Sequence, residues 1–287
     1  MTDSRPRMVM NWQTTRFLID LTRPQVMGVV NITPDSFSDG GETANTAAAL
    51  ARCEQLLGEG ADMLDLGAES TRPGSRPVSA ADELARLLPV LDGALKLGCP
   101  VSVDTNKPEV MAAVLARGAD IINDINALRT PGALDVVAGY SHCGVCLMHM
   151  RGTPDSMQAG PHYDGDVVGE VSQFLRARAQ ALAACGVADD RVVFDPGIGF
   201  GKSVDHNVEL LRRQRELLAL GRPLLLGWSR KSTLGAITGR DVTQRLAASV
   251  AAALAAVQWG ASIVRVHDVA ATVDAMRVWR AAGLGRG

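Results

Sequence analysis

Eight short apolar runs recur along the chain, and each ends in polar residues. They are residues 25–33 (QVMGVVNIT), 61–70 (ADMLDLGAES), 100–106 (PVSVDTN), 120–126 (DIINDIN), 144–151 (GVCLMHMR), 191–199 (RVVFDPGIG), 223–231 (PLLLGWSRK) and 262–268 (SIVRVHD). Runs that are apolar almost throughout fit parallel strands buried on both faces. The intervening segments carry helical spacing. Residues 79–97 put Leu84, Leu87, Leu88, Leu91 and Leu95 on one face, Ser79 and Asp82 are spaced as a capping box, and Pro89 is expected to kink the helix. Ser203 or Asp205 is placed to cap a helix running through Leu210 to Leu218, and residues 242–258 read as an Ala-rich helix closed by Gly260. Eight β-then-α units predict a single (β/α)8 TIM barrel over residues 24–287, an α/β fold; an open doubly wound sheet is the alternative. Residues 1–23 are left over, and RMVMNW with RFLID predicts an N-terminal β-hairpin plugging the N-terminal end of the barrel.

In such a barrel the chemistry sits at the C-terminal strand ends. Arriving there are Asn31, Asp65, Glu69, Asp104, Asn123, Asp124, His149, Arg151, Asp195, Arg230, Lys231, Arg265, His267 and Asp268. Strand ends turn polar in any barrel. However, Asp104 and Asn123 lie inside apolar runs, and Arg265 lies between Val264 and Val266; an interior charge needs a partner or a ligand. Arg265 and His267, two apart, point the same way, and closure brings Asn31 beside them, which makes a candidate phosphate site. Asp104, Asn123, Asp195 and Lys231 supply acceptors and donors suited to a flat ring with an N–C–NH2 edge. A buried salt bridge between Lys231 and an aspartate is the plainer account of the same residues. Residues 32–43 and 68–78, rich in Gly, Pro, Ser and Thr, are long loops at that face and candidate lids.

Composition narrows this little but usefully. With 47% apolar residues the chain can fill one large core, and a net charge of −2 with no basic stripe argues against nucleic acid. No apolar run reaches a membrane-spanning length, and the N-terminus has no signal-peptide core, so a cytoplasmic protein is expected. The five cysteines read as reduced core thiols. Cys143 and Cys146 form C-x-x-C, but at the start of a strand and without a second pair, which speaks against a redox or zinc site. GIGFGKS is not a phosphate loop, since position 196 is Pro where Gly is required. The histidines lack zinc spacing, and Ser229 and Ser232 lie outside G-x-S-x-G.

Taken together, MGVVNITPDSFSDGG, DLGAESTRPGS, SVDTNKPEV, IINDINAL, LMHMRGTPDSMQ, DPGIGFGKS, GWSRKS and IVRVHDV resemble the bacterial dihydropteroate synthase family, in the right order from about Met27 to His267. The resemblance implies a TIM-barrel transferase of folate biosynthesis that joins 6-hydroxymethyl-7,8-dihydropterin diphosphate to 4-aminobenzoate, giving 7,8-dihydropteroate and pyrophosphate by SN1-like loss of the diphosphate. It implies a pterin site of Asp104, Asn123, Met148, Asp195 and Lys231, and a diphosphate site of Asn31, Thr71, Arg265 and His267. It also implies Mg2+ on Asn31, an aminobenzoate pocket of Phe37, Arg72, Pro73, Phe200 and Ser232, and Asp35, Lys231, Arg265 and His267 as catalytic groups. A homodimer inhibited by sulfonamides is the expected form. A pterin-dependent methyltransferase, a non-catalytic pterin-binding relative and a Schiff-base aldolase using Lys231 are the competing readings; the first has no use for a diphosphate site.

Overall fold

The computed structural model describes residues 10–33, 41–70, 77–153, 157 and 160–284. Two short strands open it, Asn11–Gln13 (β1) and Leu18–Asp20 (β2), antiparallel with Trp12 opposite Ile19. Eight parallel strands follow: Gln25–Asn31 (β3), Met63–Gly67 (β4), Val101–Asp104 (β5), Ile121–Asp124 (β6), Gly144–Met148 (β7), Val192–Asp195 (β8), Leu225–Leu226 (β9) and Ile263–Val266 (β10). Their order is β8-β7-β6-β5-β4-β3-β10-β9, and a bridge between Phe194 and Leu224 joins the two ends. The barrel is closed, as expected.

Helices wrap it. They are Gly41–Gly58 (α1), Ala80–Ala94 (α2), Pro108–Ala116 (α3), Ala133–Ala138 (α4), Val167–Ala184 (α5), Val204–Arg212 (α6), Gln214–Leu217 (α7), Ser232–Thr238 (α8), Leu246–Gln258 (α9) and Val269–Ala281 (α10). Ser79 caps α2 by accepting the Asp82 N–H, and α6 starts at Ser203, not Asp205, with His206 completing a reciprocal capping box. α2 runs on through Pro89, with Leu87, Val90, Leu91 and Ala94 buried around it. Two expectations need correcting. The buried side of α2 includes Glu83, while Leu84, Leu88 and Leu95 are only partly buried. Cys185 is exposed at the end of α5, whereas Cys53, Cys99, Cys143 and Cys146 are buried and unpaired.

The strands read as apolar throughout because each lies between two cores. Val26, Leu64, Val101, Ile122, Val145 and Val264 face outward under the helices. Their neighbours face the barrel axis. Met27, Met63, Ile121, Cys146, Val193, Leu225 and Ile263 form a floor, into which the hairpin sends Trp12 and Ile19. Two residues further along five of these strands stand Asp65, Asn123, Met148, Asp195 and Arg265, and on β5 Asp104 follows the buried Ser102 in the same way. Strand periodicity therefore turns one dry layer into one polar layer directly above it.

The hairpin is pinned by specific bonds as well as by area. Trp12 is fully buried and its Nε1 donates to Arg191 O at 2.9 Å. Arg16 grips the buried Asp120 carboxylate through Nε and Nη2, and Asp120 in turn accepts the Val101 N–H of β5. Trp12→Ala is expected to cost about 3–5 kcal/mol by denaturant titration. A loss below about 1 kcal/mol would show that the barrel floor holds without its plug.

Candidate active site

Arg265 organises the mouth of the barrel. Its Nε donates to Asp65 Oδ2 at 2.6 Å and its Nη2 to Asp104 Oδ2 at 3.0 Å, so one guanidinium on β10 braces β4 and β5. Asp65 is wholly buried, and its Oδ2 also accepts Asn123 Nδ2 at 3.3 Å. Burial works against the Arg265 charge, but Asp65 and Asp104 more than offset it and its pKa is raised. Burial raises the Asp104 carboxyl, against the opposing pull of Arg265. The same desolvation raises Asp195, whose Oδ1 is oriented by the Gly197 N–H at 2.7 Å.

Arg230 and Lys231 part company. Arg230 adopts a left-handed backbone, φ 59°, and its guanidinium pairs with Asp268 at 2.5 Å on the outside of the mouth. Lys231 turns inward, where its Nζ lies 4.1 Å from the centroid of the Phe200 ring. Among the described residues it makes no ion pair with an aspartate, so the plain salt-bridge account does not hold; Asp195 acts on it only through space. Burial lowers Lys231 to about 8. Met148 stands beside this pair in an apolar cluster with Ile125, Met150, Met157 and Phe200.

His267 lies further up the Arg265 side. Ser229 Oγ accepts the His267 backbone N–H at 3.2 Å and lies 3.0 Å from Nδ1. With the hydroxyl proton then directed to Nδ1, the ring proton sits on Nε2, available to an anion. Burial, then Arg265, lower the His267 pKa to about 3, so it acts as a neutral donor. Asn31 closes β3, whose register sets Met27 beside Arg265. Among the described residues no cluster of three His, Cys, Asp or Glu could hold a metal. One amide oxygen fits only a hard cation that brings most of its oxygen ligands with it, as Mg2+ does on a diphosphate.

The structure thus brings together Asn31, Asp104, Asn123, Met148, Asp195, Phe200, Lys231, Arg265 and His267, with Ser232 exposed at the start of α8. Asp35, Phe37, Thr71, Arg72 and Pro73 lie outside the described residues. The second loop's shoulders are tied: Glu69 accepts the Val78 N–H at 2.8 Å, and Lys107 bridges Glu69 and the buried Glu83, both at 2.6 Å. Sequence reasoning gave no role to Asp65, Ser229 or Lys202. Asp65, between Leu64 and Leu66, carries the same signal as Arg265 between two valines. A groove lined by Tyr163, His206, Glu209 and Arg212 lies outside the barrel and shares no residue with the mouth.

Known proteins agree with this geometry. The family described as "Pterin binding enzyme" matches residues 27–267. A dihydropteroate synthase of Neisseria meningitidis serogroup B is 52% identical over 95% of this chain and 98% of its own, and that of Escherichia coli K12 is 45% identical over 91% and 92%. The chain belongs to the dihydropteroate synthase family. The Xanthomonas albilineans dihydropteroate synthase solved with 4-aminobenzoic acid superposes with a TM-score of 0.88 at 50% identity, covering 98% of this chain and 99% of that one. The Burkholderia cenocepacia dihydropteroate synthase complexed with 7,8-dihydropteroate gives 0.86 at 49%, over 96% and 97%. As in other dihydropteroate synthases, the chain is a transferase. No helix among the described residues is long and apolar enough to cross a membrane.

The Lys231 shift has a measurable sign. Below about pH 8 the ammonium is charged in both folded and unfolded chains, so its full desolvation cost is present. As pH rises through about 8 towards the ordinary lysine value of 10.5, the folded protein sheds the proton first and the cost is relieved. Relative to Lys231→Met, the wild type should therefore gain stability across that window in urea titrations. A flat difference would place the ammonium in an effectively aqueous setting.

Proposed function

We propose that this chain condenses 6-hydroxymethyl-7,8-dihydropterin diphosphate with 4-aminobenzoate, forming 7,8-dihydropteroate and pyrophosphate in folate biosynthesis. The observation that carries the reading is the polar layer above the barrel floor: Asp104, Asn123, Asp195 and Lys231, from four different strands or strand ends, face one space beside Met148. A carboxylate accepts two N–H groups from an N–C–NH2 edge, an amide offers one donor and one acceptor, and the ammonium meets a ring carbonyl or nitrogen. Asn31, Arg265 and His267 are then the diphosphate end. Arg265 holds Asp65 and Asp104 through Nε and Nη2, which leaves Nη1 for a phosphate oxygen. His267 adds a neutral Nε2–H donor.

The chemistry asks for no strong base. The C–O bond to the diphosphate breaks first, its electron pair leaves with pyrophosphate, and the pterin methylene becomes cationic. The amine nitrogen of 4-aminobenzoate then attacks and loses a proton. Arg265 and His267 stabilise the departing anion with donors already in place, which is where a preorganised site lowers a barrier most. Bound Mg2+ would neutralise charge on the same leaving group. Phe200 and Ser232 are assigned to the aminobenzoate pocket; the family resemblance adds Phe37, Arg72 and Pro73 to that pocket, Thr71 to the diphosphate site and Asp35 to the catalytic groups. The barrel of residues 24–287 is the catalytic unit, residues 1–23 are its extension, and the protein works in the cytoplasm as a homodimer.

Pyrophosphate release from the pterin diphosphate, assayed with and without 4-aminobenzoate, tests the function. Release together with dihydropteroate, lost in excess EDTA and restored by Mg2+, is the expected result. No dihydropteroate from the full mixture would overturn the proposal. Asp195→Asn replaces an acceptor with a donor facing ring N–H groups and should weaken pterin binding by about 1–3 kcal/mol in calorimetry. Unchanged affinity would remove Asp195 from the ring-reading role.

A further inference from the structure

The turn after β8 is held by side chains more than by its own backbone. Gly197, Gly199 and Gly201 all lie in the left-handed region, at φ 70°, 81° and 63°. A Cβ at 197 would run into His149 O and one at 201 into Arg151 O, so the turn lies directly against the end of β7. Tyr163 donates its hydroxyl to Gly201 O at 3.0 Å, and Asn207 Oδ1 accepts the Gly199 N–H at 2.9 Å. In the middle sits Lys202, 3% exposed. Its Nζ meets His149 Nδ1 at 2.9 Å, His149 O at 3.2 Å, Gly197 O at 2.9 Å and Phe200 O at 3.1 Å.

Three ammonium hydrogens thus face four acceptors, all from two short segments. Nζ has no open side for a substrate, which rules Lys202 out as a phosphate ligand or a nucleophile. What the clamp presents to the mouth is the far side of the turn. There the Phe200 ring lies beneath Lys231 Nζ, and a Cβ on Gly199 would stand 3.1 Å from Lys231 Cδ. The turn therefore fixes both the stem and the head of Lys231. Burial lowers Lys202 to about 7 and His149 to about 2, so the imidazole is a neutral acceptor for it.

We propose that Lys202 is a positioning residue, whose buried ammonium ties the turn after β8 to the end of β7 and so sets Phe200 against Lys231, shaping the arylamine side of the site. The proposal rests on the assignment of Phe200 to the aminobenzoate pocket. A lysine that merely supported the fold would affect both substrates alike. A lysine acting through Phe200 weighs more on the second substrate, because Asn123 and Asp104 are held by strands that do not depend on the turn, and Asp195 meets it only through the Gly197 N–H.

Lys202→Met keeps the stem and removes the donors. In the full-length enzyme the KM for 4-aminobenzoate should rise about tenfold or more, while that for the pterin diphosphate changes less than about threefold; displacements near one ångström are known to cost up to about a hundredfold. A second readout needs no turnover. In protein carrying 13C-lysine, the Lys231 ε-CH2 signal, shifted upfield by the Phe200 ring, should move towards the free-lysine position. An unmoved Lys231 signal, or equal increases in both KM values, would overturn the proposal. If Lys202→Met does not fold, His149→Gln removes one acceptor and should shift both readouts in the same direction by less; no shift in either also overturns it. Should the wild type release no pyrophosphate, the functional reading fails, and the Lys231 signal still decides whether the clamp controls the ring.

Discussion

A guanidinium inside a barrel has to be neutralised where it stands. Arg265 meets that constraint with Asp65 at 2.6 Å and Asp104 at 3.0 Å, and much of the mouth follows from the solution. Removing one partner of such a group typically costs about 3–5 kcal/mol, because the remaining charge is left without compensation in a poorly solvated place. The brace also spans strands that are not neighbours: β10 borders β3 and β9, while the carboxylates come from β4 and β5. The interaction therefore crosses the axis and fixes the relative positions of inward-facing polar groups on separate strands. Asn123 is drawn in through the same Asp65 oxygen.

The layer beneath gives the brace its strength. Trp12, Met27, Met63, Ile121, Cys146, Val193, Leu225 and Ile263 close the barrel's floor with apolar side chains. Charges directly above such a floor interact through a medium less screening than water, so each is felt further. This one cause lowers Lys231 to about 8 and raises Asp104 and Asp195. The N-terminal hairpin thus contributes to the site without approaching it.

How much of this was legible in the chain depended on whether the deciding contact was local. Period-two alternation exposes Asp104, Asn123, Asp195 and Arg265 as inward polar residues, and closure of eight units puts Asn31 near Arg265. Asp65 broke an apolar run just as visibly, yet its partner is 200 residues away, and no spacing rule connects the two. The adjacent cations Arg230 and Lys231 look equivalent in sequence; a left-handed φ of 59° at Arg230 sends one out to Asp268 and the other in over Phe200. Lys202 was hidden for a different reason. GIGFGKS invites comparison with phosphate loops, and rejecting that match leaves its alternating glycines unexplained until they are seen to lie against His149 and Arg151. Cys185 was misjudged because its place at the end of α5, and not its residue type, decides that it meets solvent.

The charges of the mouth have a further consequence for the first substrate. Asp65, Asp104 and Asp195 are three carboxylates, and Arg265, Lys231 and Lys202 are the cations that act on them. His267, lowered to about 3, adds no charge at neutral pH, and Arg230 is taken up by Asp268. The site's own groups are thus close to balanced before anything binds. A diphosphate carries several negative charges, and placing them here uncompensated would set them against the carboxylates that brace Arg265. Arg265 cannot abandon Asp65, since a wholly buried carboxylate would then stand alone. The balance is restored most simply when the anion arrives with its own hard cation, and that fits a mouth where Asn31 is the one oxygen ligand named and no protein carboxylate cage is found among the described residues. On the proposed function, the brace that holds Asp65 and Asp104 would therefore leave the diphosphate end reliant on Mg2+ carried in by the substrate.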